Sequence, residues 1–600
     1  MTTKSLSTVV MGEYVLAAQY DGLDITTTGG VSANDAAGLL LDHAATVSNL
    51  GAISNLEFLS SYGVEATAAA SIANGSPAVT SALIRGYDGV RAHDAATVIT
   101  NYGTILGVAR NGIGVRLDAA GVVENGHHFA GTIYGGNTGI FAQGAATSDN
   151  FGLVRGFYGE GVLLSAGGGT VRNGAIRDIK ATITGAGEGM YVAAGAADVV
   201  NYGTIQSSQR AGVRLGGGGA LSNGGIKGKT ADTVALIAGQ TNGAAAYGYA
   251  TIANLGTIEG ATGDGVLLFG GGSLINGSAR DTAATIAGFQ GVEADYYGVK
   301  TTVTNFGTIS GTGGAAILFK DANDTLIVEA GCAFVGKVLG GGGTLDLDSG
   351  KGKLTGNLAS GTITVPGAVA VTAFTGFDTV EIGAAASFAT TGAVGIAAGQ
   401  SLVVAGSLTL NANKVANGGT VETLGGTVTV KGRVTGDGAA VVDGGRLEFM
   451  ANFIQAVTFA GGTGTLELAK SQSYTGIITG FSKTGGTFLD LDDIAFGGST
   501  TATYAGDKKS GTLTVTDGTH TAHIALKGDY RTSTFVAASD GHGGTLVHDP
   551  AKAAAVPSPH PFVAAMAAMS DATGFGRQTT TAEPWRSSRW GLSRPASRLA

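Results

Sequence analysis

Cysteine, proline, charge and tryptophan are all scarce in this chain, and each scarcity removes a class of protein. One cysteine, Cys332, among 600 residues excludes an intramolecular disulfide and a cysteine-rich zinc site. Eight prolines beside 105 glycines exclude collagen and a proline/glycine-rich disordered linker. Charged residues make up 13%, about half the usual share. Gly, Thr, Ser, Ala and Asn must therefore cover the surface, as in β-rich extracellular proteins. The net charge of −9 is mild, and no basic stripe crosses the body, which argues against a nucleic-acid partner. No window of about 18 apolar residues exists, so no transmembrane segment is expected. Glu13 interrupts the first apolar run after Met11, and no signal-peptide core is read there. What is plentiful is apolar material: 44% of residues are hydrophobic and the mean hydropathy is +0.24. That supplies a large core and excludes global disorder.

A repeat organises this material. The phrase Asn–Leu/Tyr/Phe–Gly, often followed by Thr-Ile, recurs at Asn49, Asn101, Asn150, Asn201, Asn254 and Asn305. Asn-Gly falls between each pair, at Asn74, Asn125, Asn173, Asn223 and Asn276. Asn-Gly also occurs off the rhythm at Asn111 and Asn242, so the dipeptide alone is not diagnostic. The shortest step is 22 residues, Asn201 to Asn223, and the longest is 31, Asn223 to Asn254. A third phrase, Gly followed by an apolar alternation, precedes most of these asparagines: GVRAH at Gly89, GVRL at Gly114 and Gly212, GVLL at Gly161. Short runs with period-two alternation, broken by Gly and Asn, are strands and corners. The glycines are expected to supply positive φ at those corners.

A half-unit of about 25 residues is the size of one β-helix coil. One coil cannot bury its apolar face alone, and stacking coil on coil buries it. The expected fold is all-β: a right-handed parallel β-helix, then a second Gly/Thr-rich solenoid and a C-terminal β cap. The eleven asparagines are expected to stack as a ladder, each amide bonding its neighbours. Val, Ile and Leu of the Gly-Val and Thr-Ile phrases would form apolar columns inside.

The stretches TVTNFGTISGTGGAAILF (Thr302 to Phe319) and VVNYGTIQ (Val199 to Gln206) resemble the passenger repeats of autotransporter-type surface proteins of Gram-negative bacteria. The resemblance covers about residues 30 to 330 and extends loosely to about 470. It implies a parallel β-helix exported from the cell, often for adhesion. Such proteins usually end in a translocator barrel with a terminal aromatic residue. This chain ends SRWGLSRPASRLA, without a series of amphipathic strands. Export is therefore expected to rely on machinery supplied by other proteins, such as a one-step route reading a C-terminal signal.

The organisation read from composition is a β cap over 1–30, the β-helix over 31–330, the second solenoid over 331–470, a β cap domain over 471–549 and a flexible tail over 550–600. Asp-Gly turns in the fourth segment suggest hairpins. Five prolines, from Pro557 to Pro595, and both tryptophans crowd the tail, which is the candidate export signal.

Candidate chemistry is thin. β-Helix lyases and glycosidases gather charged side chains on one face across adjacent coils. Here Asp118, Asp149, Glu188 and Glu259 do not recur in register along the sequence. Asp321 and Asp324 read as a turn before a strand. Asp346 and Asp348 lack the tandem pattern of a calcium β-roll. Asp490, Asp492 and Asp493 are weak candidates for a Ca²⁺ site. His127 and His128 are adjacent, and His520 and His523 would face opposite ways on a strand. GKT at Gly228 lacks the upstream glycine of a phosphate loop. Cys332 reads as a small buried residue. Tyr296, Tyr297, Phe157 and Tyr158 are the aromatic residues available for a surface patch.

The expectation is a secreted or cell-surface structural and adhesive solenoid, not an enzyme. Its partner would be a host or matrix surface, or another copy of itself. Two alternatives stand beside it: a carbohydrate-active β-helix enzyme, and a self-assembling surface-layer or matrix component.

Overall fold

The computed structural model describes residues 2–550, except 57–60, 94–96, 127–130, 177, 228–229, 232–233, 295–297, 359 and 365–371. His127, His128, Tyr296, Tyr297, Gly228 and the tail from 551 onward lie outside the described residues.

Strands follow from alternation. In Ala70–Asn74 the residues are buried, exposed, buried, half-buried and buried in turn. Ala45–Asn49, Ala197–Asn201 and Ala250–Asn254 repeat that order. A strand with one apolar side must cover it, and here each is covered by the coil itself. Each coil contributes three short strands, such as Thr97–Asn101, Thr104–Gly107 and Val115–Leu117. Each strand pairs in parallel with its equivalents one coil before and after. The result is a parallel β-solenoid of about 20 turns with three faces. Among the described residues there is no α-helix, and so none long and apolar enough to cross a membrane.

The interior consists of columns. On the first face Val47, Ile72, Ile99 and Val123 stack, all buried. On the second face Ile53, Ile84, Ile105 and Ile133 do the same. On the third face Val64, Val90, Val115 and Ile140 complete the core. Burial of such aliphatic side chains contributes about 1.5–3 kcal/mol each.

The recurrent glycines divide into two kinds. Those directly after Asn74, Asn125, Asn173, Asn223 and Asn276 do take positive φ, between 79° and 85°. The glycine of the Gly-Val phrase does not. At Gly89 an added Cβ would stand 2.6 Å from the Gly114 carbonyl oxygen and 2.6 Å from Ile105 Cγ2. Stacking distance, not backbone conformation, demands glycine there.

Winding begins earlier than composition suggests. Thr3–Leu6 already pairs in parallel with Gly22–Ile25, and Val9–Met11 with Gly30–Ala33. Nor does the first face break near residue 330: Val303, Leu326, Leu345, Val380 and Leu402 form one column. A hairpin insertion emerges there, where Thr344–Asn357, Ser360–Thr364 and Thr372–Thr375 pair antiparallel. At the far end Gly464–Leu468 pairs in parallel with Thr487–Leu491. The latter strand then accepts Thr545–His548 in antiparallel fashion. Antiparallel strands Thr501–Gly506, Ser510–Thr516 and Thr521–Lys527 complete this end. The turn between the last two contains Asp517-Gly518, with Gly518 at φ 95°. Antiparallel closure protects the open end of a stacked sheet.

Candidate functional site

The asparagine column is a stabilising device built from side chains that water never reaches. Asn49, Asn74, Asn101, Asn125, Asn150, Asn173, Asn201, Asn223, Asn254, Asn276 and Asn305 are all fully buried. Each Nδ2 donates to Oδ1 of the next rung, ten bonds of 2.7–2.9 Å in one direction. The second Nδ2 proton reaches a carbonyl at the start of the second-face strand, as from Asn74 to Thr104 or from Asn173 to Thr204. Oδ1 of Asn49, Asn150, Asn254 and Asn305 also accepts the backbone N–H two residues on. That contact fixes which end of the amide is oxygen. The column starts and stops where the sequence turns apolar: Ile25 precedes Asn49 in register and Val328 follows Asn305.

Outward-facing residues form columns too, and these bring distant charges together. Arg91 and Arg116 are neighbours in register, and both donate to Asp118, at 2.9 and 2.7 Å. Glu65 lies next to Arg91 in register and accepts His93 at 2.6 Å. Asp149 stands beside Arg172. Glu188 lies within 3.7 Å of Arg210 and 3.3 Å of Arg214. The signal for these pairs was present in the chain, as charged residues one half-unit apart, but it is visible only after each coil length is known.

The second face carries an aromatic and polar strip. Its outward column runs Tyr134, Arg155, Thr184, Gln206, Ala238, Glu259, Ala287 and Ser310. At one end Phe157 and Tyr158 are exposed, with ring centroids 4.7 Å apart edge to face. Tyr134 lies 6.3 Å from Phe157. Arg155 sits over the Phe157 ring at 5.3 Å and Arg110 over the Tyr158 ring at 5.0 Å. Two coils further on, past the coil of Thr184, an open groove of about 400 Å³ begins at Gln206. Gly239, Gly260 and Gly288 keep it shallow, while Gln206, Gln240, Glu259 and Thr312 offer hydrogen-bonding groups. Phe289, exposed at 52%, stands beside it with its ring over Gly313.

The second concentration of chemistry lies near the closing end. Glu448, Glu467 and Asp490 follow one another in register. Arg446 donates to Glu448 at 2.7 Å, to Asp490 at 3.0 Å and to Glu467. Burial and the neighbouring Asp492 push the Glu467 carboxyl well above its usual range. Burial likewise raises Asp490. Of the three sequence candidates for Ca²⁺, Asp490 and Asp492 come together, and Asp540 joins them. Asp493 points elsewhere: its carboxylate accepts the Ser471 and Gln472 backbone N–H groups at 3.0 and 3.2 Å. Asp540 is 50 residues from Asp490 in the chain, so no local motif announced it.

The other candidates fall into structural roles. Asp321 accepts the Asn323 N–H in a turn, and Asp324 accepts the Thr301 N–H at 2.9 Å, just before the strand Thr325–Val328. His520 lies in the turn, bonded to Asp517, and His523 is on the following strand against Thr514. Cys332 is buried, and burial pushes its thiol up to about 12. No family model matches the chain, and no curated protein or solved structure shows significant similarity to it.

Proposed function

We propose that this solenoid is an adhesive rod, secreted or held at the surface of a Gram-negative cell, that binds an extended glycan along its second face. The observation that carries the reading is the strip itself. Exposed Phe157 and Tyr158, steadied by Arg155 and Arg110, lie on the same face as a groove lined by amide and hydroxyl groups that begins two coils on. Flat aromatic faces suit the apolar faces of sugar rings, and Gln, Thr and Glu suit their hydroxyls. An elongated ligand would find the same register repeated from coil to coil. The repeat phrases resembling autotransporter passengers support the surface location.

The test is calorimetric titration of soluble bacterial and host polysaccharides into the full chain and into Phe157→Ala/Tyr158→Ala. The reading expects saturable binding by the native chain and at least about a tenfold loss in the variant, roughly 1.4 kcal/mol. Equal binding by both, or none by either, rejects it.

A carbohydrate-active enzyme is the second reading, favoured by the convergence of Glu448, Glu467 and Asp490 on Arg446. A carboxyl held protonated near neutrality can act as a general acid. Release of new chain ends from a polysaccharide, abolished by Glu467→Gln, would establish that reading; intact polysaccharide after prolonged incubation supports the adhesive one.

A further inference from the structure

We propose that Asp490, Asp492 and Asp540 hold a Ca²⁺ ion that ties the last parallel coil to the closing antiparallel strands. The proposal is independent of the adhesive reading.

The three carboxylates come from both sides of the junction. Asp490 lies on Thr487–Leu491, the strand that takes parallel pairing on one side and antiparallel pairing on the other. Asp492 follows that strand directly. Asp540 lies between Val536–Ser539 and Thr545–His548, the closing antiparallel pair. One carboxylate oxygen from each lies within 4.8 Å of the others. Two oxygens bound to one Ca²⁺ at about 2.4 Å stand no more than about 4.8 Å apart. The spacing therefore admits a shared ion.

The second observation is an orphaned atom. Asp490 is 3% exposed, and its Oδ2 accepts Arg446 at 3.0 Å. Its Oδ1 is buried and has no hydrogen-bond partner. A buried carboxylate oxygen without a donor is costly. Arg446, already shared among Glu448, Glu467 and Asp490, is occupied with their other oxygens.

The surroundings hold the donors in place. Asp540 accepts the His542 N–H at 2.7 Å and the Gly544 N–H at 3.0 Å on both oxygens. A Cβ at Gly544 would stand 2.6 Å from Asp540 Oδ2 and 2.9 Å from Asp492 Cα. Glycine there lets the two segments close. The donor set is oxygen only, with neither imidazole nor thiolate, which selects a hard cation. Water and backbone carbonyls would complete the shell. The site joins two segments about 50 residues apart in the chain that no disulfide links, so an ion there would fasten the end of the solenoid.

The experiment is titration of CaCl₂ into the full chain after chelator treatment, followed by calorimetry, with Asp490→Asn, Asp540→Asn and Asp493→Asn in parallel. The expected result is one saturable site tighter than about 1 mM. Asp490→Asn and Asp540→Asn should each weaken it at least about tenfold, while Asp493→Asn, outside the triad, keeps it. Thermal melting gives a second reading. Ca²⁺ should raise the melting temperature of the native chain and leave that of Asp490→Asn unmoved. In the absence of Ca²⁺, Asp490→Asn should melt no lower than the native chain, because it relieves an overcharged cluster. No saturable heat in the native chain, or undiminished binding in both triad variants, overturns the proposal.

Discussion

Replacing one asparagine of the buried column with valine separates a ladder from a coincidence of aligned residues. Valine is the informative choice because Val328 already occupies the next position of that column. Asn173 is a middle rung. Its Nδ2 donates to Asn201 at 2.8 Å and to the Thr204 carbonyl at 2.9 Å, and its Oδ1 accepts Asn150 at 2.7 Å. Asn173→Val removes three close bonds of about 1 kcal/mol each, with a longer fourth to the Ala181 carbonyl at 3.3 Å, and strips a buried oxygen of Asn201 of its side-chain donor. Asn150 keeps the Thr182 carbonyl at 3.1 Å, so its loss is partial. Allowing for the apolar gain of valine, the cost is about 3–4 kcal/mol. Asn305 is the last rung. Its Nδ2 makes only a 3.3 Å contact to Ala333, and the Gly307 N–H that it accepts also reaches the Asn276 carbonyl at 3.1 Å. Asn305→Val should cost about 1–2 kcal/mol.

A rung acts first on the coils beside it, so the assay is hydrogen exchange resolved by peptide. In Asn173→Val, peptides covering 146–150 and 197–201 should exchange about 10²–10³ times faster. In Asn305→Val, acceleration around 301–305 should stay near tenfold. Equal effects at the two sites, or native protection in Asn173→Val, would refute the reasoning.

Three further outcomes follow from the same geometry. Gly89→Ala, whose Cβ would meet the Gly114 carbonyl at 2.6 Å, should lower the thermal midpoint and cost about 1–3 kcal/mol. Gly497→Ala, with nothing within 4 Å, should be neutral in the same melt. Burial first, then Glu381, pushes Asp346 up from 3.8 to about 7. The folded chain therefore keeps a proton that the unfolded chain releases, and stability present below about pH 4 is lost as pH rises through about 7. Asp346→Asn should be more stable than the native chain at pH 8, by about 1–2 kcal/mol after allowance for solvent screening, and equal to it below pH 4. The difference should appear in urea midpoints measured across that range.

The coil was legible because its cause is periodic. Asn at one corner, Gly-Val on one face and Thr-Ile on another repeat as often as the backbone returns to the same place, so spacing alone yields stacking. Boundaries were less legible. Residues 1–30 have no asparagine, and 331–470 repeat the phrase only at Asn417, on a strand outside the column, yet Leu6, Ile25 and Val328 show that apolar residues can hold the same column. Composition changed there while the winding did not. The Asn-Gly glycines take the positive φ expected at corners, but Gly89 is set by the carbonyl of the coil above, which a single coil does not contain. The charged clusters were hidden for the same cause. Glu448, Glu467 and Asp490 meet because the coils between them have particular lengths, and Asp540 arrives through an antiparallel return. Phe157 and Tyr158 stood out in the sequence as aromatic residues; the groove two coils on is made largely by small residues from several coils and has no motif.

Paired cysteines test register across the longest half-unit, where the chain must travel 31 residues to return to one column. Ser222 and Ala253 are partners in register, and Ile275 follows Ala253 one coil later. Adjacent parallel strands lie about 4.8 Å apart, within disulfide reach, and strands two coils apart lie at about twice that. Buried Cys332 does not compete. Mild oxidation of the folded chain should close Ser222→Cys/Ala253→Cys and leave Ser222→Cys/Ile275→Cys open. Closure of the second pair, or failure of the first, would contradict the coil-on-coil stacking that forms the asparagine ladder and the apolar columns.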